Sequence, residues 1–395
     1  MFIDVENGLG SQDISYCNRA SGPADEYATV KGAPFEEIAG ESDRSDEISG
    51  VCGFEVSPRH SDCLIPGSVV SLSSAQSYLW TGRVLQSLRR SLLEHDFLEI
   101  LPALLSSEAE PGARHSVAVL GDRARPKVTA ESDGRVSVDG KWAYQLPVSH
   151  SVEKQMALEH ADRVYCLTPC LRLLMDGEEA SGKHLYTFFQ VVVEWRAADA
   201  DEALTVTESI LGSLARHMKP ILPDDAGTAV TRLQGLRSAP YPRVSFADAL
   251  KLGGRKPDEP QNSDLTREEE RTLTDSFDSP FWIHRYPLGV RDSLYQRGED
   301  GLQETYDLML PAGYGELATG GLRPRDKREI TEQSRLLGGE PNPVYADWKE
   351  RSGIQTAGFG LGFERLVRYC AGADSVLDLL AAHDSGPNRR IGAHE

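Results

Sequence analysis

The sequence predicts an α+β domain, a mostly antiparallel sheet flanked by helices, behind an acidic N-terminal extension. Three observations carry this. Residues 185–195, Leu-Tyr-Thr-Phe-Phe-Gln-Val-Val-Val-Glu-Trp, are dense in aromatic and β-branched side chains and read as a strand. Further strand-like runs at 281–286, 304–310 and 313–318 lack the regular helix spacing of a βαβ fold, which favours antiparallel pairing. Residues 1–75 hold 13 Asp/Glu against 4 Lys/Arg and show no sustained apolar period. They are read as an extension or small atypical domain, and residues 76–395 as the main domain.

The elements follow in order. Tyr78, Val84, Leu85, Leu88, Leu92 and Leu93 recur at helical spacing. The helix runs out into Asp96-Phe97-Leu98-Glu99-Ile100-Leu101-Pro102, an extended segment stopped by proline. A short apolar helix is expected from Val152 to Leu158, then a strand at 163–167 and the strand at 185–195. A helix follows from Ala200 to His217. Residues 222–280 are polar and loop-rich, with one short helix near Phe246 to Leu252. After the later strands a helix is expected from Arg325 to Leu337, and another after Arg365.

Bulk properties narrow the function. The net charge is −19, with 42 Lys+Arg against 61 Asp+Glu. Nucleic-acid binding draws on basic surface to displace counterions, so this balance weighs against a polyanionic partner. No run of 18 apolar residues is present, so no membrane span is expected. The N-terminus has neither a basic nor an apolar signal segment. Six scattered cysteines, with Cys166 and Cys170 four apart and no second pair at metal spacing, suggest free thiols in the cytoplasm.

The densest chemical signal is Gly358-Phe359-Gly360-Leu361-Gly362-Phe363-Glu364-Arg365. Alternate glycines let a backbone approach a ligand closely, and the arginine fork suits phosphate oxygens. The spacing matches neither a dinucleotide fingerprint nor a P-loop.

This segment resembles motif 3 of the class II aminoacyl-tRNA synthetases. Asp96 to Pro102 is similar to motif 1. Arg163 to Arg172, with Lys183-His184-Leu185 and Phe188 to Glu194, is similar to motif 2. Tyr286-Pro287, Tyr306-Asp307-Leu308 and Gly315 to Arg323 point to the aspartyl/asparaginyl branch. The resemblance implies a class II catalytic sheet, ATP and Mg²⁺ as cofactors, and a homodimer joined through motif 1. It implies catalytic roles for Arg172, on the α-phosphate and the reacting carboxylate, and for Arg365. It implies ATP contacts from Arg172, His184, Phe188, Glu316, Gly360, Gly362 and Arg365, with Phe188 stacking on adenine and Phe189 turned into the core. Asp307 and Glu316 would hold Mg²⁺, a cation that takes hard oxygen ligands bridging to phosphates.

The substrate is expected at Ser149, Ser151, Lys154, Gln190 and Arg323. Lys154 and Arg323 together read as a dicationic clamp for a side-chain carboxylate, hence for aspartate or a close analogue. The string His150-Ser151-Val152-Glu153-Lys154 also resembles ammonia-dependent asparagine synthetase, a relative that uses no tRNA. Two positions depart from the family pattern: Leu174 stands where a Glu is usual, and Leu322 where a Gln is usual. Asp176, Glu178 and Glu179 place acids in the motif 2 loop. Together with the net charge and the acidic extension, they lead to an expectation of a tRNA-independent ligase that adenylates an aspartate-like acid and passes it to ammonia or an amine. A divergent aspartyl- or asparaginyl-tRNA synthetase is the alternative, and a non-catalytic regulatory paralogue a further one. The nucleophile and the activated carboxylate, α or β, stay open.

Overall fold

The computed structural model describes residues 72–106, 117–120, 127–130, 136–139, 143–174, 182–197, 199–222 and 227–380, all within the unit Glu55–Glu395. The extension at 1–71 and the acids Asp176, Glu178 and Glu179 lie outside the described residues.

Helix α1 (Ser74–Glu94) begins at a capping box. The Ser73 hydroxyl accepts from the Gln76 amide, and the Gln76 side chain accepts from the Ser73 N–H. Trp80, Val84, Leu88 and Leu92 recur every four residues and are buried on one face. Asp96, at φ 61°, turns the chain sharply into the two-residue strand β1 (Leu98–Glu99).

Strands β2 (Ala118–Leu120) and β5 (Ala143–Gln145) pair with each other, as do β3 (Lys127–Ala130) and β4 (Val136–Asp139). The main sheet holds β6 (Arg163–Leu171), β7 (Thr187–Arg196), β8 (Arg243–Ser245), β9 (Phe281–Pro287), β10 (Leu302–Leu310), β11 (Gly315–Leu322) and β12 (Thr356–Gly362), together with β1. Its order is β1-β6-β7-β12-β11-β10-β9-β8. The six inner strands are antiparallel and only the two edge strands pair parallel, as the irregular strand spacing predicts.

Side-chain alternation assigns the two faces. Val191, Val193 and Trp195 of β7 join Phe359 and Leu361 of β12 in the large core. That core is closed by α1, by α3 (Ala200–Met218) and by α9 (Phe363–Ala371). Gln190, Val192 and Glu194 point to the other face, opposite Gly362, Gly360 and Gly358. Phe189 departs from expectation. It is 44% exposed, because the core on its face starts only at Val191.

The segment 222–280 is more ordered than its polarity suggests. It holds α4 (Gly227–Leu236), α5 (Phe246–Gly253) and α6 (Arg267–Asp275). A Thr266–Glu269 capping box starts α6, so its helix signal was in the sequence. Buried Arg255 gathers the preceding loop by bonding Glu269 and the carbonyls of Pro260, Ser263 and Asp264. The predicted strand at 313–318 runs instead from Gly315 to Leu322, since Gly313 and Gly315 at φ 73° and 80° form the preceding turn. The remaining helices are α2 (Glu153–Met156), α7 (Lys327–Leu336) and α8 (Pro343–Ser352).

Gly358 has a specific steric role. A Cβ there would stand well inside contact distance of the Glu194 carboxylate and the Val193 carbonyl, whereas one on Gly360 would meet the Gln190 and Val192 side chains at ordinary contact distances of 3.4 Å and 3.7 Å. Gly358→Ala should therefore destabilise the fold by roughly 3 kcal/mol, the upper end of overpacking costs. Gly360→Ala should stay within about 1 kcal/mol. Urea unfolding of both variants checks this; equal midpoints would contradict it.

Candidate active site

The site is one cavity of about 540 Å³ on the sheet face opposite the large core. Every residue expected for ATP or substrate lines it: Ser149, Ser151, Lys154, Arg172, His184, Phe188, Gln190, Glu316, Arg323, Gly360, Gly362 and Arg365. Segments far apart in the chain converge because β7, β12 and β11 are adjacent in the sheet.

At one end lies a buried ion triad. Glu194 accepts from Arg323 Nε and Nη2, both at 2.9 Å, and from the Thr356 hydroxyl at 2.9 Å. Lys154 Nζ lies 3.2 Å from Glu194 Oε2 and also donates to the carbonyls of Val193 and Phe359. All three ions are 2% exposed or less. Burial lowers the Lys154 ammonium to about 8, with Glu194 opposing. Burial also pushes the Glu194 carboxyl up, but the Arg323 and Lys154 cations more than offset this and hold it below the usual range. Arg323 packs over the Tyr295 ring, 5.2 Å from its centroid. The expected dicationic clamp is thereby corrected: both cations are already engaged by Glu194, which removes the bare positive pair that argued for a carboxylate side chain.

Cations gather elsewhere around the cavity. The Arg172 guanidinium donates to the Val148 carbonyl and lies 5.0 Å from the Phe188 ring centroid. Arg365 donates to the Glu316 backbone and to its carboxylate, each at 3.0 Å. Burial pushes the Glu316 carboxyl up, yet Arg365, Arg291, Arg172 and His184 together hold it down, which locates four basic groups near one acid. Leu174 lines the cavity, whereas Leu322 is buried in the core. Ser149 and Ser151 share a hydrogen bond of 2.8 Å.

The two expected Mg²⁺ ligands are placed differently. Glu316 faces the cavity, but Asp307 is not among its lining residues. Asp307 accepts from Tyr286 OH at 2.6 Å and from Thr319 Oγ1 at 2.8 Å, and it is ion-paired to Arg291. Burial first, then the neighbouring Glu316 charge, raises its carboxyl, and Arg291 opposes. Arg291 thus already neutralises the pair. Among the described residues there is no cluster of three or more His, Cys, Asp or Glu able to hold a metal. The Glu316 charge reaches Asp307, while Asp307 is paired to Arg291 and Glu316 is the one of the two that lines the cavity.

Four residues of the site escaped sequence reasoning: Glu194 as an ion partner, Arg291, Asp292 and Tyr295. A charged residue inside the apolar run Val191-Val192-Val193-Glu194-Trp195 was a signal, since a buried charge needs partners. The loop positions had no such signal. Burial pushes the Asp292 carboxyl up, and the Leu294 amide, Arg323 and Arg291 pull it back.

Comparison with known proteins follows the same lines. The family model of class II tRNA synthetases (D, K and N) matches residues 73–381. Asparagine–tRNA ligase of Thermococcus gammatolerans is 24% identical over 75% of this chain and 65% of its own length. That of Xylella fastidiosa is 27% identical over 75% of this chain and 66% of its own. The chain therefore spans just under two thirds of these curated relatives. Among solved structures, asparaginyl-tRNA synthetase from Pyrococcus horikoshii complexed with asparaginyl-adenylate superposes with a TM-score of 0.64, at 23% identity, over 77% of this chain and 67% of that one. A putative aspartyl-tRNA synthetase from Leishmania major gives 0.59 at 18% identity, over 78% and 64%. These relatives overturn the expectation of a tRNA-independent amide-forming ligase without a tRNA partner. The physical error was to read whole-chain charge as local surface charge. About half of the net negative charge sits in residues 1–75, outside the matched region. The fold and the match over most of the chain lead to one conclusion: it belongs to the class II tRNA synthetase family (D, K and N), and the relatives it resembles lie in the aspartyl/asparaginyl branch.

Proposed function

We propose that the protein activates an amino acid of the asparagine and aspartate size as an aminoacyl-adenylate and transfers the acyl group to tRNA. The observation that carries this reading is the convergence of Arg172, His184, Phe188 and Arg365 on the cavity that also holds the Lys154–Glu194–Arg323 triad. The named relatives, all tRNA ligases, support it. The same reading assigns catalysis to residues 76–395 and leaves 1–75 outside it.

In the first step a carboxylate oxygen of the amino acid attacks the α-phosphorus of ATP, and pyrophosphate leaves. Two anions must meet, so the cavity has to supply positive charge and alignment. Arg172 is assigned to the α-phosphate and the attacking carboxylate, and its packing on Phe188 fixes its plane. Arg365 and His184 are assigned to the terminal phosphate, and Phe188 to the adenine. Ser149, Ser151 and Gln190 are assigned to the amino acid. Mg²⁺ bound with ATP would neutralise phosphate charge, and Glu316 is the side chain available to it. In the second step a ribose hydroxyl at the tRNA 3′ end attacks the acyl carbon, and AMP leaves.

A homodimer belongs to the same reading. Leu93, Leu98, Leu101, Leu104 and Leu105 are exposed along α1, β1 and the segment after it, at the edge of the sheet. Exposed leucines gathered in one stretch of chain at a sheet edge are the kind of surface an isologous partner would cover.

Two outcomes are expected. The protein should catalyse amino-acid-dependent ATP–pyrophosphate exchange and charge total tRNA, read on acid gels. Arg172→Ala should lower exchange at least ~100-fold, the usual loss for one transition-state donor. Exchange without any charged tRNA would contradict the transfer step. Sedimentation at micromolar concentration should give a dimer, and Leu101→Asp should shift it to monomer. A monomeric unmodified protein would contradict the interface.

A further inference from the structure

The loop that presents Ser149 and Ser151 to the cavity belongs to no helix or strand. Residues 146–152 connect β5 to α2 without ladder pairing of their own, so side chains must hold what the backbone does not. Arg172 bonds the Val148 carbonyl at 3.0 Å, and the Gln155 side chain donates to the Ser151 carbonyl at 2.7 Å. Between them stands His150, which is 4% exposed and does not line the cavity as its two neighbours do.

His150 is clamped from both sides. Its Nε2 lies 2.9 Å from the Thr168 hydroxyl on β6, and its Nδ1 lies 3.3 Å from Glu153 Oε2 at the start of α2. The Ala103 N–H, in the segment after β1, donates to the other oxygen of Glu153 at 3.1 Å. Burial pushes the Glu153 carboxyl up, but the bonds from His150 and Ala103 more than offset this and hold it below the usual range. An ionised carboxylate only accepts, so His150 carries a proton on Nδ1, and the neutral ring accepts from Thr168 at Nε2. Thr168 is paired across the sheet with Gln190, which also lines the cavity. An acid, an imidazole and a hydroxyl in this order could activate a nucleophile. Here Thr168 is 1% exposed and neither it nor His150 lines the cavity, so no substrate reaches the hydroxyl. What the chain of contacts does is join β6, α2 and the segment after β1 to the loop that bears the two serines.

We propose that His150 is a positioning residue for amino-acid binding: held between Thr168 and Glu153, it fixes Ser149 and Ser151 at the cavity wall. This rests on the activation reaction proposed above and adds a residue that touches neither the amino acid nor ATP. Removing the imidazole frees the middle of the loop, and a small displacement of aligned groups is costly even when those groups are themselves unchanged. Phe188 stands on β7 and Arg365 on α9, outside this loop, so the ATP end of the cavity should keep its geometry.

Calorimetric titration of asparagine and of aspartate, with a non-hydrolysable ATP analogue bound, tests it alongside ATP–pyrophosphate exchange and urea unfolding. Thr168→Val keeps the shape and removes the hydroxyl that His150 contacts, so it serves beside His150→Ala should the latter fail to fold. Each should raise the Kd and KM of the preferred amino acid ~10-fold or more, with the KM for ATP within ~2-fold. His150→Gln, which sets an amide nitrogen near the place of Nε2, should recover most of the loss. A fall in urea stability with both KM values unchanged would make the contacts merely structural and overturn the proposal. Equal rises for ATP and the amino acid, or no recovery with Gln, would overturn it as well. Amino-acid binding that the variants weaken, in a protein without exchange, would support the positioning role and contradict the activation reaction. Exchange that the variants leave untouched would do the reverse. An unmodified protein that binds neither amino acid would overturn both.

Discussion

Glu194 is the interaction on which the rest of this site depends. A carboxylate with no exposure is costly to desolvate, and it is tolerated only because Arg323, Lys154 and Thr356 satisfy it. Those partners come from three places in the chain, α2, the start of β12 and the segment after β11, and meet Glu194 on β7. Gly358 is required opposite it because a side chain there would occupy the carboxylate's space. One buried anion thus ties the central strands together and positions both of these cations at the cavity wall.

The cavity is electrostatically divided. At the Glu194 end, the buried carboxylate is paired with Arg323 and Lys154 and accepts from the Thr356 hydroxyl. Around Glu316 the balance is different. Arg172, Arg291, His184 and Arg365 all act on that one acid, and a polyanion would find positive charge already arranged. The proposed adenylate-forming step brings anions together, and the cations around Glu316 supply the charge such a step requires. Arg291, which lines the cavity, is also ion-paired to Asp307, so the arginine-rich end carries its own counter-charge to the acids.

Much of this was legible in the sequence. The strand at 185–195 and the glycine-rich strand before Arg365 announced themselves through β-branched density and alternate glycines. The family resemblance assigned Arg172 and Arg365, within its motifs, and Lys154 and Arg323, outside them, to one site, and all four line the same cavity. What was not legible is equally physical. Pairing is not written in composition, so Lys154 and Arg323 read as a bare dication until Glu194 was found beside them. Asp292 sits in a loop with no period to flag it. Helix α6 is charged nearly throughout and was missed despite its capping box, because a nine-residue helix with one deeply buried leucine has almost no apolar stripe. Net charge misled for a different reason. It sums over a segment outside the matched region, and so it described the chain and not the surface around the cavity.

The central claim is that Glu194 is the structural counter-ion of both cations and not an exchangeable polar contact. Equilibrium unfolding of Glu194→Gln in urea tests it most directly. The substitution keeps the shape and leaves Lys154 and Arg323 buried without a counter-charge, so the account predicts a loss of about 3–5 kcal/mol with an unchanged urea slope. A variant within about 0.5 kcal/mol of the unmodified protein would contradict it.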